Sequence, residues 1–363
     1  MNYLDKGISL IKTIKSHGFD AYLIGGCVRD FLLDLPSNDI DITTNMPIDK
    51  LKELFPFKDN GSNYLSITIK YQGTYFEITH FRKDISYVDH RHPNVEEANN
   101  LIDDIKRRDF TINALAFDSD KKILDYYNGI SDLKNKLIRA IGDPKERFDE
   151  DALRILRALY FSSKLDFDIE KETLDAIIDK SHLLTHLSND RIYEYFKKIV
   201  SEKNTKGIDY INQYDLFRYV PEFKDWLSAV SAGYEVEGLA FAYYAKYRKY
   251  PPIISAVDKK YCQALGELLD NRFDDYCLYK NKNYIYKLSK TIERLGYNEK
   301  ELKGRINGFP ISDDNDLALS KIEITSTFEG QMKSVVVRAV IKAILAKQIP
   351  NDRDAILKFL KGF

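Results

Sequence analysis

The sequence predicts an α+β protein, a sheet-bearing head followed by a long all-helical region. Up to about Asp125 the apolar residues fall in short or alternating runs, the period-two pattern of strands. After Gly142-Asp143-Pro144 they recur at helical spacing almost to the end. A block of strands followed by a block of helices is the α+β pattern.

A helix at the start is followed by strand runs at Ala21-Tyr22-Leu23-Ile24 and Ile40-Asp41-Ile42-Thr43. A second helix near Asp49 to Phe55 precedes runs at Leu65-Ser66-Ile67-Thr68-Ile69 and Tyr75-Phe76-Glu77-Ile78-Thr79. Amphipathic spacing then appears in Ala152-Leu153-Ile155-Leu156-Leu159 and again in Val335-Val336-Ala339-Val340-Ala343-Ile344. Breaks at Lys206-Gly207, Pro251-Pro252 and Gly308-Phe309-Pro310 subdivide the helical part. The expected domains are a head over residues 1–140, a neck over 141–205, a body over 206–270 and a tail over 271–363.

With 363 residues and 44% hydrophobic content the chain can bury a large core. Its apolar runs fall short of the ~20 residues of a membrane-spanning helix and its start does not read as a signal peptide, so a soluble cytoplasmic protein is expected. Cys27, Cys262 and Cys277 are scattered, which indicates neither a disulfide framework nor a zinc site. A net charge of −1 argues against strong nonspecific nucleic-acid binding. The stretch from Tyr279 to Arg305, rich in lysine and tyrosine, can track an RNA backbone, although a solvated helix face is the commoner meaning of such a run.

The chemistry concentrates in the head. Gly25-Gly26-Cys27-Val28-Arg29-Asp30 follows a strand run and opens a helix, where backbone amides, the helix N-terminus and Arg29 can receive a phosphate. Alone, a Gly-Gly turn is more often an ordinary strand-to-helix connection. Nine residues beyond Asp30 comes Asp39-Ile40-Asp41. On a strand the two carboxylates share a face and repel unless cations lie between them. Mg²⁺ suits carboxylate oxygens and substrate phosphates, and a two-ion site can activate a 3′-hydroxyl and stabilise a leaving pyrophosphate. Glu77 is the candidate third carboxylate, on a run that could equally be an edge strand exposing a glutamate.

Together these residues resemble the polymerase-β superfamily of nucleotidyltransferases, specifically the class II CCA-adding tRNA nucleotidyltransferases and bacterial poly(A) polymerases. Phe81-Arg82 and Tyr87-Val88-Asp89-His90-Arg91-His92-Pro93 resemble the family's flexible loop, implied to switch addition from C to A. Arg107-Arg108-Asp109-Phe110-Thr111-Ile112-Asn113-Ala114 matches the second head motif, which implies triphosphate binding by Arg108 and ribose recognition by Asp109. Glu150-Asp151-Ala152-Leu153-Arg154 looks like the family's protein template, and Arg157 matches a further nucleotide-contacting arginine. On a helix Asp151 and Arg154 would share a face and offer an acceptor beside a donor. Cytosine and adenine both present an amine beside a ring acceptor, so one Asp–Arg pair can select them together. Tyr160 stands where a third arginine is usual, and Ser188-Asn189-Asp190-Arg191-Ile192-Tyr193-Glu194 resembles the helix that braces the neck.

The resemblance implies a polymerase-β-like head with a mixed sheet and flanking helices, followed by a helical neck, body and tail. It implies addition of C, C and A to a tRNA 3′ end from CTP and ATP. Asp39 and Asp41 would hold Mg²⁺, with Glu77 as the third catalytic carboxylate. Gly25, Gly26, Arg29, Arg108, Asp109, Glu150, Asp151, Arg154 and Arg157 would bind the nucleotide, while the helical region gripped the tRNA acceptor and TΨC region. No protein partner, membrane or phosphohydrolase activity is implied. CC-only addition, A-only addition, poly(A) synthesis and noncatalytic RNA binding remain open alternatives.

Overall fold

The computed structural model describes residues 3–37, 40–58, 65–87, 93–229, 238–251 and 254–363. They fall into two units, Met1–Lys224 and Asp225–Phe363.

In the first unit α1 (Tyr3–Ser16) buries Leu4, Ile8 and Ile11 with Leu10 and Ile14, the stripe expected of a helix laid on a sheet. That sheet is built from β1 (Ala21–Ile24), β2 (Asp41–Thr44), β3 (Phe57–Lys58), β4 (Ser66–Tyr71) and β5 (Thr74–His80), with β8 (Ala116–Phe117) and β9 (Ile123–Leu124). Its order is β3-β4-β5-β2-β1-β8-β9, and only the β2/β5 pair is parallel, so the sheet is mixed as expected. The strand runs read from the sequence coincide with β1, β2, β4 and β5 to within two residues. Two short helices, α2 (Gly26–Leu32) and α3 (Ile48–Leu54), connect strands.

Pairing fixes which side chains share a face. Leu23, Ile42, Ile78 and Ile67 occupy one row, buried on the side toward α1. The next row, Ile24, Asp41, Glu77 and Thr68, lies on the opposite face. The segment expected as a flexible loop holds a hairpin, β6 (Arg82–Tyr87) paired with β7 (Pro93–Glu97), and then α4 (Leu101–Lys106). The expected loop residues Val88, Asp89, His90, Arg91 and His92 lie outside the described residues. Leu101 and Ile105 of α4 pack with Ile24, Phe81, Ala114, Ala116 and Ile141.

Helices follow α5 (Gly129–Asn135): α6 (Pro144–Glu150), α7 (Leu153–Leu165), α8 (Lys171–Lys180), α9 (Asn189–Ser201) and α10 (Lys206–Gln213). α7 lies against both α9 and α10. The boundary between units falls within α11 (Pro221–Ala229). The second unit carries α12 (Leu239–Tyr247) to α19 (Arg353–Leu360) and two cores, one around Leu265, Leu278 and Ile292, the other around Val336, Val340 and Ile344. In the basic stretch, Lys280 pairs with Glu267 at 3.0 Å and Arg305 with Asp275 at 2.7 Å, while Lys290, Arg294 and Lys300 are exposed. The three cysteines are buried thiols, and no described helix is long and apolar enough to cross a membrane.

Candidate active site

The site begins at the turn between β1 and α2. Gly25 has φ 79° and ψ −131°, a conformation open to glycine, and its N–H donates to the Leu115 carbonyl at 3.0 Å. A Cβ here would sit 3.0 Å from Arg108 Nη1 and 3.9 Å from Asp41 Oδ2. The turn thus brings the first carboxylate strand and the second head motif together at one point. Asp41 begins β2 and is paired in register with Glu77 on β5, so these two acids stand side by side on one face. Asp39 lies outside the described residues. Among the described residues no group of three His, Cys, Asp or Glu side chains is placed to hold a metal. Beside Asp41, burial pushes the Cys27 thiol up to about 12, with the Asp41 charge adding to the effect, so it stays protonated at neutral pH.

Arginines form the wall of the site around Asp104, a fully buried acid on α4. Its Oδ1 accepts from Arg107 Nε at 3.0 Å and Nη2 at 2.7 Å, and its Oδ2 from Arg108 Nη2 at 3.4 Å and the Thr43 hydroxyl at 3.3 Å. Burial alone would raise this carboxyl, but Arg107 and Arg108 outweigh it and hold it below the ordinary value. Arg108 Nε is buried without a hydrogen-bond partner.

A second polar chain runs from α2 to α7. Arg29, 3% exposed, donates to Asp30 Oδ1 at 2.8 and 2.6 Å and to Asn113 Oδ1 at 2.6 Å. These bonds use three of its five N–H groups. Asn113 donates to Asp109 Oδ1 at 3.1 Å, and Asp109 Oδ2 takes Arg157 Nε at 2.6 Å. Burial opposes the charge on Asp109, yet Arg157 and the hydrogen bonds hold its carboxyl below the usual range. Phe161 lies close to both arginines, whose guanidinium carbons are 5.0 Å (Arg29) and 5.3 Å (Arg157) from its ring centre.

The template segment departs from the expected geometry. Asp151 and Arg154 do not share one continuous helix, because α6 ends at Glu150 and α7 begins at Leu153. Asp151 makes the break: its side chain accepts from the Leu153 N–H at 2.9 Å, a local bond that competes with helix continuation. Arg154 is nearly buried and donates to Glu150 Oε2 at 2.8 Å, to the Arg147 carbonyl at 3.0 Å and to the Arg107 carbonyl at 2.9 Å. Glu150 also takes Arg147 at 2.5 Å. Tyr160 turns its ring edge to Tyr195, and Arg191 pairs with Glu194 at 2.8 Å on an exposed face.

Residues of the glycine turn, of both polar clusters and of the template segment line one cavity of about 540 Å³. Of the expected site residues, Gly25, Gly26, Arg29, Asp41, Arg108, Asp109, Asp151, Arg154 and Arg157 are on its wall, while Glu77 and Glu150 are not. Its described lining includes six arginines and four aspartates, an excess of positive charge that fits a polyanion. Asp84 and Phe161 also line it, and Asp104 stands behind it; none of the three carries a motif signal beyond a charge or a ring in a helical or strand run. A larger cavity of about 620 Å³ in the second unit is lined by Arg248, Arg272, Arg305, Asp270 and Glu301 among others, without a glycine turn beside a carboxylate strand.

The Poly A polymerase head domain family matches residues 21–139, and the family described as the probable RNA and SrmB-binding site of polymerase A matches residues 166–227. The CCA-adding enzyme of Ligilactobacillus salivarius is 31% identical over 386 residues, covering 98% of this chain and 96% of that one. That of Lactobacillus helveticus is 44% identical over 221 residues, covering 60% of this chain and 55% of its own. Among solved structures, the Bacillus stearothermophilus CCA-adding enzyme in complex with CTP superposes with a TM-score of 0.83 at 25% identity, covering 100% of this chain and 98% of that one. With similarity running through nearly the whole of both chains, and head and neck motifs meeting in one cavity, the protein belongs to the family of CCA-adding enzymes and bacterial poly(A) polymerases.

Proposed function

We propose that the protein adds C, C and A to the 3′ end of tRNA from CTP and ATP, releasing pyrophosphate. The observation that carries this reading is the convergence, in one cavity, of the Gly25 turn with Asp41, the arginines of the second head motif, and Asp151 with Arg154. Asp39 and Asp41 would hold Mg²⁺, and Glu77, off the cavity wall but in register with Asp41, would supply further carboxylate oxygens on the same face. The ions would lower the pKa of the attacking 3′-hydroxyl and offset charge on the leaving pyrophosphate.

The chain's own residues do the rest. Arg107 and Arg108 receive the triphosphate, and the positive backbone angle at Gly25 lets it approach without a side chain in the way. Asp109, on the cavity wall, would accept a hydrogen bond from a ribose hydroxyl. Asp151 and Arg154 offer an acceptor and a donor to the base edge, which suits the amine and ring acceptor of cytosine and adenine and opposes uracil and guanine. The β6/β7 hairpin supports retention of the A-adding step. We assign the head to residues 1–140, the neck to 141–205, the body to 206–270 and the tail to 271–363, with body and tail gripping the tRNA acceptor and TΨC region. Confinement of the seven-stranded sheet to residues before 125 supports the first of these boundaries.

The test is addition by the purified protein to a tRNA ending at the discriminator base, with Mg²⁺ and CTP or ATP singly and together. A product ending in C-C-A is expected. Addition that stops at C-C with both nucleotides present, A addition alone, a long A tail or no addition overturns this reading.

A further inference from the structure

The Asp104 carboxylate is bonded to four residues in three segments of the head. Besides Arg107, Arg108 and the Thr43 hydroxyl on the catalytic strand, its Oδ1 accepts from the Arg82 backbone N–H at 3.4 Å, at the root of the β6/β7 hairpin. Arg82, Arg107 and Arg108 all line the cavity, and three guanidinium groups held this closely repel one another. Burial followed by the Arg107 charge depresses the Arg82 pKa, which registers that crowding. Asp84 beside Arg82 and the buried anion behind the wall let the three coexist. Asp104 also fixes where the free edges of Arg107 and Arg108 point, since two of the five Arg107 donors and one of Arg108 are tied to it. No other described carboxylate is recorded in a bond to either arginine of the second head motif.

We propose that Asp104 is a positioning residue for nucleotidyl transfer, one that aims Arg107 and Arg108 at the β- and γ-phosphates of the incoming nucleotide. It touches neither substrate nor reacting atoms and acts through the arginines. The inference rests on the reading of the cavity as a nucleoside triphosphate site. It goes further by assigning recognition of the triphosphate tail, apart from the base, to an acid outside the cavity.

The test compares binding of CTP and CMP, without tRNA, to the full chain and to its Asp104→Asn variant. The variant keeps the shape of the side chain and removes its charge. CTP binding is expected to weaken by about tenfold or more, the effect of misplacing one charge-assisted hydrogen bond, with CMP affinity held within about twofold. Should the variant not fold, Asp104→Glu retains the charge and displaces it by one methylene; it is expected to lose several-fold in CTP affinity, again with CMP unchanged. Equal losses for CTP and CMP mark a merely structural role and overturn the proposal. So does unchanged CTP affinity in a folded variant, or a wild-type protein that binds CTP no better than CMP. Wild-type protein that prefers CTP but adds nothing to tRNA overturns the functional reading alone, while the Asp104 comparison still decides this one.

Discussion

Arg154 serves two ends with one guanidinium. It ties the Arg147 and Arg107 carbonyls while pairing with Glu150, and it faces the cavity beside Asp151. Arg154→Ala should therefore destabilise the protein by about 2–4 kcal/mol, the effect of leaving a mostly buried partner and two carbonyls unsatisfied. It should also erase the preference for C and A over U and G while some turnover survives. Nucleotide competition assays and a urea melt read the two effects, and unchanged selectivity would refute the template role. Asp109 allows a pH test. Its carboxyl is held below the ordinary 3.8, so its stabilising contribution is complete above that value and fades as pH falls through the lowered one. The stability deficit of Asp109→Asn should stay constant from about pH 8 to about pH 5 and shrink below about pH 4. A deficit that narrows between pH 7 and 5 would mean Asp109 is not held in its charged form. At this scale, Gly25, Asp41 and Arg108 were legible because each belongs to a short motif. Asp104 was not, since its role comes from partners at 43, 82, 107 and 108 that only folding assembles.

Among the elements, α5 fits beneath the second head motif only because its first residue is glycine. A Cβ at Gly129 would stand 2.3 Å from the Thr111 carbonyl oxygen, so backbone must move to admit it. Gly129→Ala should cost about 1–3 kcal/mol. It should weaken CTP binding too, because Thr111 and Asn113 share one turn. Thermal unfolding and CTP titration check this; a melting point equal to wild type would show that the motif yields without strain. The strands of the head could be read from the sequence because alternation survives wherever one sheet face is buried. The break at Asp151 could not, since its neighbours have helical spacing and a single side-chain bond to the Leu153 N–H decides the matter. The β6/β7 hairpin was likewise hidden in a polar segment whose pairing has no apolar signature.

For the whole molecule, charge is balanced as well as small. Several basic residues of the second unit are already paired, Lys280 with Glu267 and Arg305 with Asp275 among them. If this unit grips tRNA largely by shape, raising salt from 50 to 200 mM should weaken tRNA binding by less than about a hundredfold, against the ~10³–10⁵ of proteins that make many phosphate contacts. A filter-binding or anisotropy series measures it, and a steeper fall would show that lysine contacts dominate. The order of head before helices was legible at this scale from the change in hydrophobic period. The division into two units at 224 was not, because it lies within α11, where the periodicity runs on unbroken. The proposed joining of base choice to structural integrity in Arg154 also limits what descent can do with it. A lineage that changed its nucleotide alphabet at this position would first have to survive a weakened fold. Such a change therefore needs stabilising substitutions accumulated beforehand, and neutral drift at Arg154 alone is a closed road.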